Sequence, residues 1–315
     1  MLYKNQLCVV ELLEGAYKVG KIVTMPTSPN FIQSNFRLVR TIGTVSSPYT
    51  GKISTQEFDG VYWEAVVNLP PMRRDVASQW QSFLLECNGP VNTFKFADPD
   101  ALVNQGTYNG TDLKAKNRAN QTSAIELDFN ANNTITAPNN TTPFSNILVG
   151  DFIIVTGSTK PANNGTHKIT AKANAYTVTV APETEETLVT EADVTGCKIL
   201  SNQKGATGLN LASSSNSATG TIKKGDYLQI TSSSVAGSNP VQYVMATEDA
   251  TLNVIGGEDT YGVKIQPKLR TALTQDHLVR FASPKGMFRL TTKNVDWDAN
   301  NISNYGMSFS CIEVV

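Results

Sequence analysis

Residues 149–158 read VGDFIIVTGS and residues 224–233 read KGDYLQITSS, so one turn and strand pattern recurs at an offset of 75 residues. In each copy a Gly-Asp pair precedes an aromatic residue and a run with alternating apolar positions. This is the pattern of a tight turn that leads into a β-strand. A repeat of this spacing indicates two related β modules in one chain.

Runs rich in Val, Ile, Thr, Tyr and Phe, separated by Gly, Asn, Pro and Ser, continue along the chain. Their period of two favours antiparallel strands, and βαβ winding is not expected because helical stretches are lacking between most of them. The predicted fold is therefore mainly β. The predicted strands are 7–12, 36–45, 60–69, 152–156, 167–171, 177–180, 227–230, 242–245, 262–265, 287–290 and 307–315.

One helix is predicted at residues 72–87, directly after Pro70 and Pro71. Its apolar residues recur at spacings of three and four, and Gly89 supplies a stop signal. We expect this helix to cover one side of a sheet, with Trp80 facing inward. The predicted structural core around it consists of Trp63, Trp80, Phe83 and Phe94.

The composition predicts a discontinuous first domain. Residues 101–146 are dense in Asn, Thr, Gly and Ala, and residues 201–220 suggest a flexible loop or linker. The final alternating strand can return to pair with the N-terminal domain, and turn-rich sites tolerate insertions. We therefore predict an antiparallel β-sandwich or barrel domain at 1–100 and 285–315, an inserted β module at 101–204, and a second β module at 205–284. The modules are expected to be small barrels or sandwiches.

Charge and cysteine content exclude several classes of protein. A net charge of −1 gives no electrostatic footprint for specific nucleic-acid binding. No apolar run approaches the ~18 residues of a membrane span, so we expect no membrane insertion. Cys8, Cys87, Cys197 and Cys311 are far apart. This spacing predicts reduced, buried thiols in a cytosolic protein.

The sequence offers little for catalysis. His167 and His277 are the only histidines, and neither belongs to a metal-binding or nucleophile motif. Glycine-rich phosphate-binding loops are also lacking. We therefore expect no enzyme activity, no metal and no cofactor.

Paired carboxylates leave one alternative open. Asp98 and Asp100, and likewise Asp296 and Asp298, stand two residues apart. The second pair resembles the start of a calcium loop, but Asn301 occupies the position that needs glycine. We expect turns at both places, and a glycoside hydrolase that uses such carboxylates remains the minor alternative.

A candidate subunit interface lies between residues 24 and 36. Phe31 and Ile32 follow two prolines without an obvious local core to join, and Phe36 begins the next strand. This segment either crosses to a neighbouring subunit or folds over its own sheet, and both alternatives stay open.

Several motifs, in order, carry a resemblance to a known family. They are GVYWEAVVNLPPMRRD at 60–75, FKFADPD at 94–100, KGDYLQI at 224–230, PKGMFRL at 284–290 and YGMSFSCIE at 305–313. The chain resembles tail proteins of long-tailed bacteriophages, and within that group the distal tail protein. The resemblance covers about residues 45–100 and 220–315.

The resemblance implies a structural virion protein. It implies a homohexameric ring that joins the tail tube protein to hub or tip proteins of the baseplate, with a lumen through which DNA passes without specific binding. Assembly would take place in the bacterial host cytoplasm. Two alternatives remain: another minor tail or neck ring protein, and a carbohydrate-binding β module of an adhesin, suggested by loops rich in Tyr and Asn.

Overall fold

The computed structural model describes residues 20–109, 112–138, 140–183, 186–213, 218–233, 239–255, 258–299 and 304–314. The strand predicted at 7–12, and Cys8 within it, lie outside these residues. Where described, the chain is mainly β and antiparallel, as predicted, with β1–β7 (residues 22–23 with 93–94) as a parallel exception.

The described residues form one helix and 26 strands. The strands of the first third are β1 (Ile22–Val23), β2 (Gln33–Val39), β3 (Ile42–Ser46), β4 (Ile53–Glu57), β5 (Tyr62–Asn68), β6 (Met72–Arg73) and β7 (Thr93–Phe96), with helix α1 at Arg74–Cys87. Those of the middle are β8 (Leu113–Ala115), β9 (Asn120–Asn130), β10 (Thr134–Thr136), β11 (Phe152–Thr156), β12 (Gly165–Lys172), β13 (Thr177–Pro182) and β14 (Glu191–Leu200). The remainder are β15 (Gly208–Ser213), β16 (Thr221–Ile222), β17 (Tyr227–Thr231), β18 (Pro240–Ala246), β19 (Ala250–Thr251), β20 (Asn253–Ile255), β21 (Glu258–Gln266), β22 (Leu278–Arg280), β23 (Gly286–Leu290), β24 (Asp298–Ala299), β25 (Asn304–Gly306) and β26 (Ser308–Glu313). Short 3₁₀ turns occupy Pro99–Ala101 and Pro161–Asn163.

The first body, which we call the helix-bearing domain, combines residues 20–101 with residues 285–314. Its six-stranded sheet has the order β1-β7-β23-β26-β5-β2. Alternate residues of β5, namely Trp63, Ala65 and Val67, are buried in one core with the inward side of α1. The late strand β26 lies between β5 and β23, so the two separated chain segments share one sheet.

Helix α1 begins two residues later than predicted. Met72 and Arg73 are extended and pair as β6 with Tyr305 and Asn304, which delays the first helical turn. At its other end, Asn88 adopts a left-handed conformation with φ 50°, one residue before Gly89. Backbone pairing therefore sets the start of this helix, although its apolar spacing begins at Met72.

Two closed six-stranded barrels follow. The first barrel comprises β9 to β14 and closes in the order β9-β10-β13-β12-β11-β14. The second barrel consists of β8, β15, β17, β18, β21 and β22, and it closes because β15 pairs with both β8 and β21. Since β8 precedes the first barrel in sequence and β15 follows it, the first barrel is inserted into the second.

This nesting places strand Leu113–Ala115 differently from the predicted division of the chain. The prediction assigned it to the module at 101–204, whereas it pairs with β15 and β22 of the second barrel. The physical reason is that Leu113 and Ala115 are fully buried in the second barrel's core.

The prediction of a flexible loop at 201–220 is wrong for its central part. Residues Gly208–Ser213 form β15, and all six are buried. The strand carries Leu209 and Leu211 into the core of the second barrel. The Ser-rich residues 214–217 lie outside the described part of the chain.

Polar contacts join the two barrels. The Arg118 side chain, 4% exposed, donates to Asp151 of the first barrel at 3.0 Å and to Glu258 of the second at 3.1 Å. The guanidinium lowers the Asp151 pKa, but burial has the larger effect and raises it. The Arg118 side chain therefore links the two barrels, and removal of Asp151 would leave its buried charge without that partner.

Candidate subunit interface

The four predicted core residues are buried. Trp63, Trp80, Phe83 and Phe94 are each at most 5% exposed and belong to one cluster. Trp63 has a second role that sequence reasoning missed, because its Nε1–H donates to the Tyr243 carbonyl at 2.8 Å. It thereby ties the helix-bearing domain to the second barrel.

The segment at 24–35 folds over its own sheet. Phe31 lies edge-on to the rings of Trp80 and Phe96, each at 5.9 Å. The indole Nε1–H of Trp80 also donates to the Ser28 carbonyl at 3.0 Å, which fixes the segment on the core. Phe36 stacks on Phe96 with 5.6 Å between centroids.

Of the three candidate interface side chains, the structure leaves Ile32 on the surface. Ile32 is 65% exposed, whereas Phe31 and Phe36 are partly buried against the helix-bearing core. Aromatic rings of the same chain contact Phe31 and Phe36, and the local sequence did not indicate these contacts. A larger apolar surface available to another molecule lies further along the chain, at residues 42–58.

That surface is an exposed hairpin, residues 42–58, formed by β3, β4 and the turn between them. Its strands pair from Ile42 with Glu57 to Ser46 with Ile53, and form a two-stranded sheet of their own. Its five large apolar side chains are at least 47% exposed; they are Ile42, Val45, Tyr49, Ile53 and Phe58. Tyr49 at the tip is 95% exposed.

The sequence prediction missed this hairpin because it extended one strand through residue 45. Ser47, Pro48 and Gly51 form a turn signal, and Gly51 has φ 66°. A short hairpin expected to bury one face would alternate apolar and polar residues, but here apolar residues occur on both faces.

The hairpin is anchored at its base. Glu57 accepts from Lys268 of the second barrel at 2.8 Å and from Arg40 at 3.2 Å. The hydrogen bond from Lys268 is the largest cause that lowers the pKa of Glu57. The base is therefore held against the second barrel while the tip projects.

An isolated two-stranded hairpin is marginally stable in water, and exposed apolar patches usually mark contact sites. Beside it, β2 is one of the two edge strands of the six-stranded sheet and pairs with β5 alone among the described strands. Such an edge offers unpaired backbone groups to another chain. Hairpin, Ile32 and edge strand together form the candidate interface.

The two histidines, which the sequence places in no catalytic or metal-binding motif, occupy different parts of the structure. His167 is buried inside the first barrel, and burial lowers its pKa. The Nδ1 atom of His277 accepts from the Thr274 backbone N–H at 3.1 Å within a turn. No cluster of three or more metal-ligating side chains occurs among the described residues.

The carboxylates of the hydrolase alternative lie in different settings. Asp98 caps the 3₁₀ turn by accepting from the Asp100 N–H at 3.3 Å, and burial raises its pKa. Asp296 lines a cleft of about 520 Å³ whose described lining contains no second carboxylate. Asn300 and Asn301 of the suggested calcium loop lie outside the described residues.

The described aromatic side chains of the first barrel do not form an exposed platform for a sugar. Phe129, Phe144 and Phe152 are buried, and Tyr176 packs against the barrel core. Exposed aromatic faces are the usual apolar contact for a partly polar ligand.

Comparison with known proteins found neither a family model nor a curated protein that matches this chain. In the described part of the chain, no helix has the length and apolar character required to cross a bilayer.

Proposed function

We propose that this chain is a structural component of a long-tailed phage tail, which assembles into a homo-oligomeric ring and performs no chemical turnover. The ring, hexameric in the family that the motifs resemble, joins the tail tube protein to hub or tip proteins of the baseplate. DNA passes through its lumen. The single observation that carries the self-association is the exposed hairpin, with five large apolar side chains unburied.

The proposal requires more than the hairpin. A stable interface buries at least ~1,000 Å² in total, so the edge strand β2 and neighbouring surface must also contribute. A hairpin on one surface and a different receiving surface on the next subunit would give a heterologous contact, which closes into a ring when its rotation permits. We expect the lumen to lack clusters of Lys and Arg, which would bind the passing DNA.

The test is the oligomeric state of the full chain at micromolar concentration, measured by mass photometry and light scattering. We expect a closed oligomer for the natural sequence and at least a tenfold weaker association for Val45→Asp combined with Ile53→Asp. Val254→Asp is the control, because Val254 is 63% exposed on β20, which pairs with β21 of the second barrel. A natural chain that stays monomeric would overturn the proposal.

The phage assignment needs its own measurement. Particles labelled with an antibody to this chain should show the label at the tail tip in electron micrographs. Label at the neck would favour the alternative ring protein, and unlabelled tails would contradict a virion role.

A further inference from the structure

The two barrels have the same topology. Their six strands follow one another in sequence as β9, β10, β11, β12, β13 and β14 in the first and β8, β15, β17, β18, β21 and β22 in the second. Matched in that order, every strand has equivalent neighbours in both closed barrels. Strand β11 thus lies between β12 and β14, as β17 lies between β18 and β22.

The recurring Gly-Asp turns have the same geometry. Gly150 and Gly225 both have φ 95°, and each N–H donates at 2.8 Å to a carbonyl of the neighbouring strand, that of Ile169 in β12 and that of Ala246 in β18. Asp151 and Asp226 each accept from the backbone N–H three residues earlier, at 2.9 and 2.8 Å. The sequence repeat is therefore also a repeat of structure.

The aromatic residue after each turn points out of its own barrel. Phe152 is 5% exposed, yet it belongs to no core cluster, and Tyr227 belongs to the core of the helix-bearing domain. The next residues, Ile153 and Leu228, point inward and join the cores of their own barrels. This opposition follows from the alternation of side chains along a strand.

Phe152 docks the first barrel onto the second. A methyl group on Gly208 of β15 would overlap the Phe152 ring, so glycine makes room for it. The side chain of Asn210, on the same strand, forms two hydrogen bonds with the Phe152 backbone. Its Oδ1 accepts from the Phe152 N–H at 2.6 Å, and its amide donates to the Phe152 carbonyl at 2.7 Å.

Tyr227 docks the second barrel onto the helix-bearing domain. Its ring stacks on Tyr243 at 4.8 Å and lies edge-on to Trp63 at 5.4 Å. The backbone N–H of Tyr243 donates to Glu313 Oε1 of the helix-bearing domain at 2.9 Å. Each barrel thus contacts the body into which it is inserted.

We infer that the two barrels are copies of one module, and that the outward aromatic after the Gly-Asp turn marks the module's docking face. The partner that this face fits is a β surface of the host body, opened by glycine in one case and lined by aromatic rings in the other. On each strand, the aromatic residue therefore contributes to docking, and the residue directly after it contributes to packing inside the barrel.

Hydrogen exchange at residue resolution on the full chain tests the inference. The Phe152 amide, held by Asn210, reports docking, and the Val180 amide, which donates to Asn133 within the first barrel at 2.8 Å, reports internal packing. We expect Phe152→Ala to accelerate exchange at residue 152 at least tenfold and to leave Val180 unchanged. The matched control Ile153→Ala should accelerate Val180.

Substitution on the receiving side gives an independent reading. Gly208→Ala leaves the first barrel untouched and should reproduce the effect of Phe152→Ala. In the second barrel, Tyr227→Ala should accelerate exchange of the Tyr243 amide, whereas Leu228→Ala should accelerate the Ala246 amide, which donates to Asp226 within the barrel. The inference fails if outward and inward substitutions give the same pattern, or if Phe152→Ala and Gly208→Ala both unfold the first barrel.

Discussion

Arg270 of the second barrel donates from Nη2 to Glu313 Oε2 of the helix-bearing domain at 2.5 Å, with side chains 14% and 1% exposed. The same carboxylate accepts from the backbone N–H groups of Trp63 and Tyr243. One buried acidic side chain thus receives donors from both bodies at their junction.

Removal of this carboxylate should be costly, because it leaves a buried guanidinium without its counter-charge. We expect Glu313→Ala to lower the free energy of unfolding by about 3 kcal/mol. The control Glu64→Ala breaks a pair whose Arg37 side chain is 63% exposed, so it should cost at most about 1 kcal/mol. Urea titrations followed by tryptophan fluorescence compare the two, and equal losses would contradict this account.

The hairpin should be dispensable for folding. We expect that joining Ile42 to Glu57, a cross-strand pair, by Asn-Gly in place of residues 43–56 changes the free energy of unfolding by less than about 1 kcal/mol. The replaced residues bury no large apolar side chain in the described structure. The same variant should lose the proposed self-association. A drop of several kcal/mol in chemical denaturation would instead show that the hairpin supports the fold.

Burial of His167 should make the protein less stable in mild acid. Burial lowers its pKa below the ordinary 6.5, and the hydrogen bond with the Asn163 carbonyl opposes this only in part. Below pH 6.5 the unfolded chain binds a proton that the folded chain resists, so stability falls as pH falls. In thermal unfolding between pH 7 and 5, His167→Gln should flatten this dependence, whereas His277→Gln should retain it.

The described cysteines should resist alkylation in the folded protein. Cys87, Cys197 and Cys311 are buried free thiols, and burial raises the pKa of Cys87 to about 12. Thiolates are the reactive form, so both access and ionisation oppose reaction. In a Cys8→Ser chain, a thiol reagent should label none natively and three after unfolding. Rapid native labelling would contradict the burial.

Local patterns predicted much of the fold. The spacing of Trp80, Phe83 and Cys87 indicated the helix because a single apolar stripe packs on one sheet. The Gly-Asp repeat indicated related modules because a turn with positive φ, and the alternation of apolar residues in the strand after it, are both encoded by adjacent residues. These signals depend on neighbours in sequence.

The remaining features depend on partners far apart in sequence. No residue near Glu313 in the sequence indicates its ion pair with Arg270. Likewise, the residues around Asn210 do not indicate that its side chain forms a hydrogen bond with the Phe152 backbone. The Ser-rich surroundings of β15 concealed a buried strand for the same reason. The sequence left open whether Phe31 packs on its own sheet, because the rings that Phe31 and Phe36 contact, such as Trp80 and Phe288, follow much later in the chain.

The nesting of the three bodies sets an order of events for a chain leaving the ribosome. The innermost barrel has all its strands once residue 200 has emerged, the surrounding barrel must await β22, and the outer sheet stays divided until β26 arrives between β5 and β23. We expect synthesis to complete this protein from the inside outward, with β5 and β7 waiting for β26 and β23, which are made near the end of the chain.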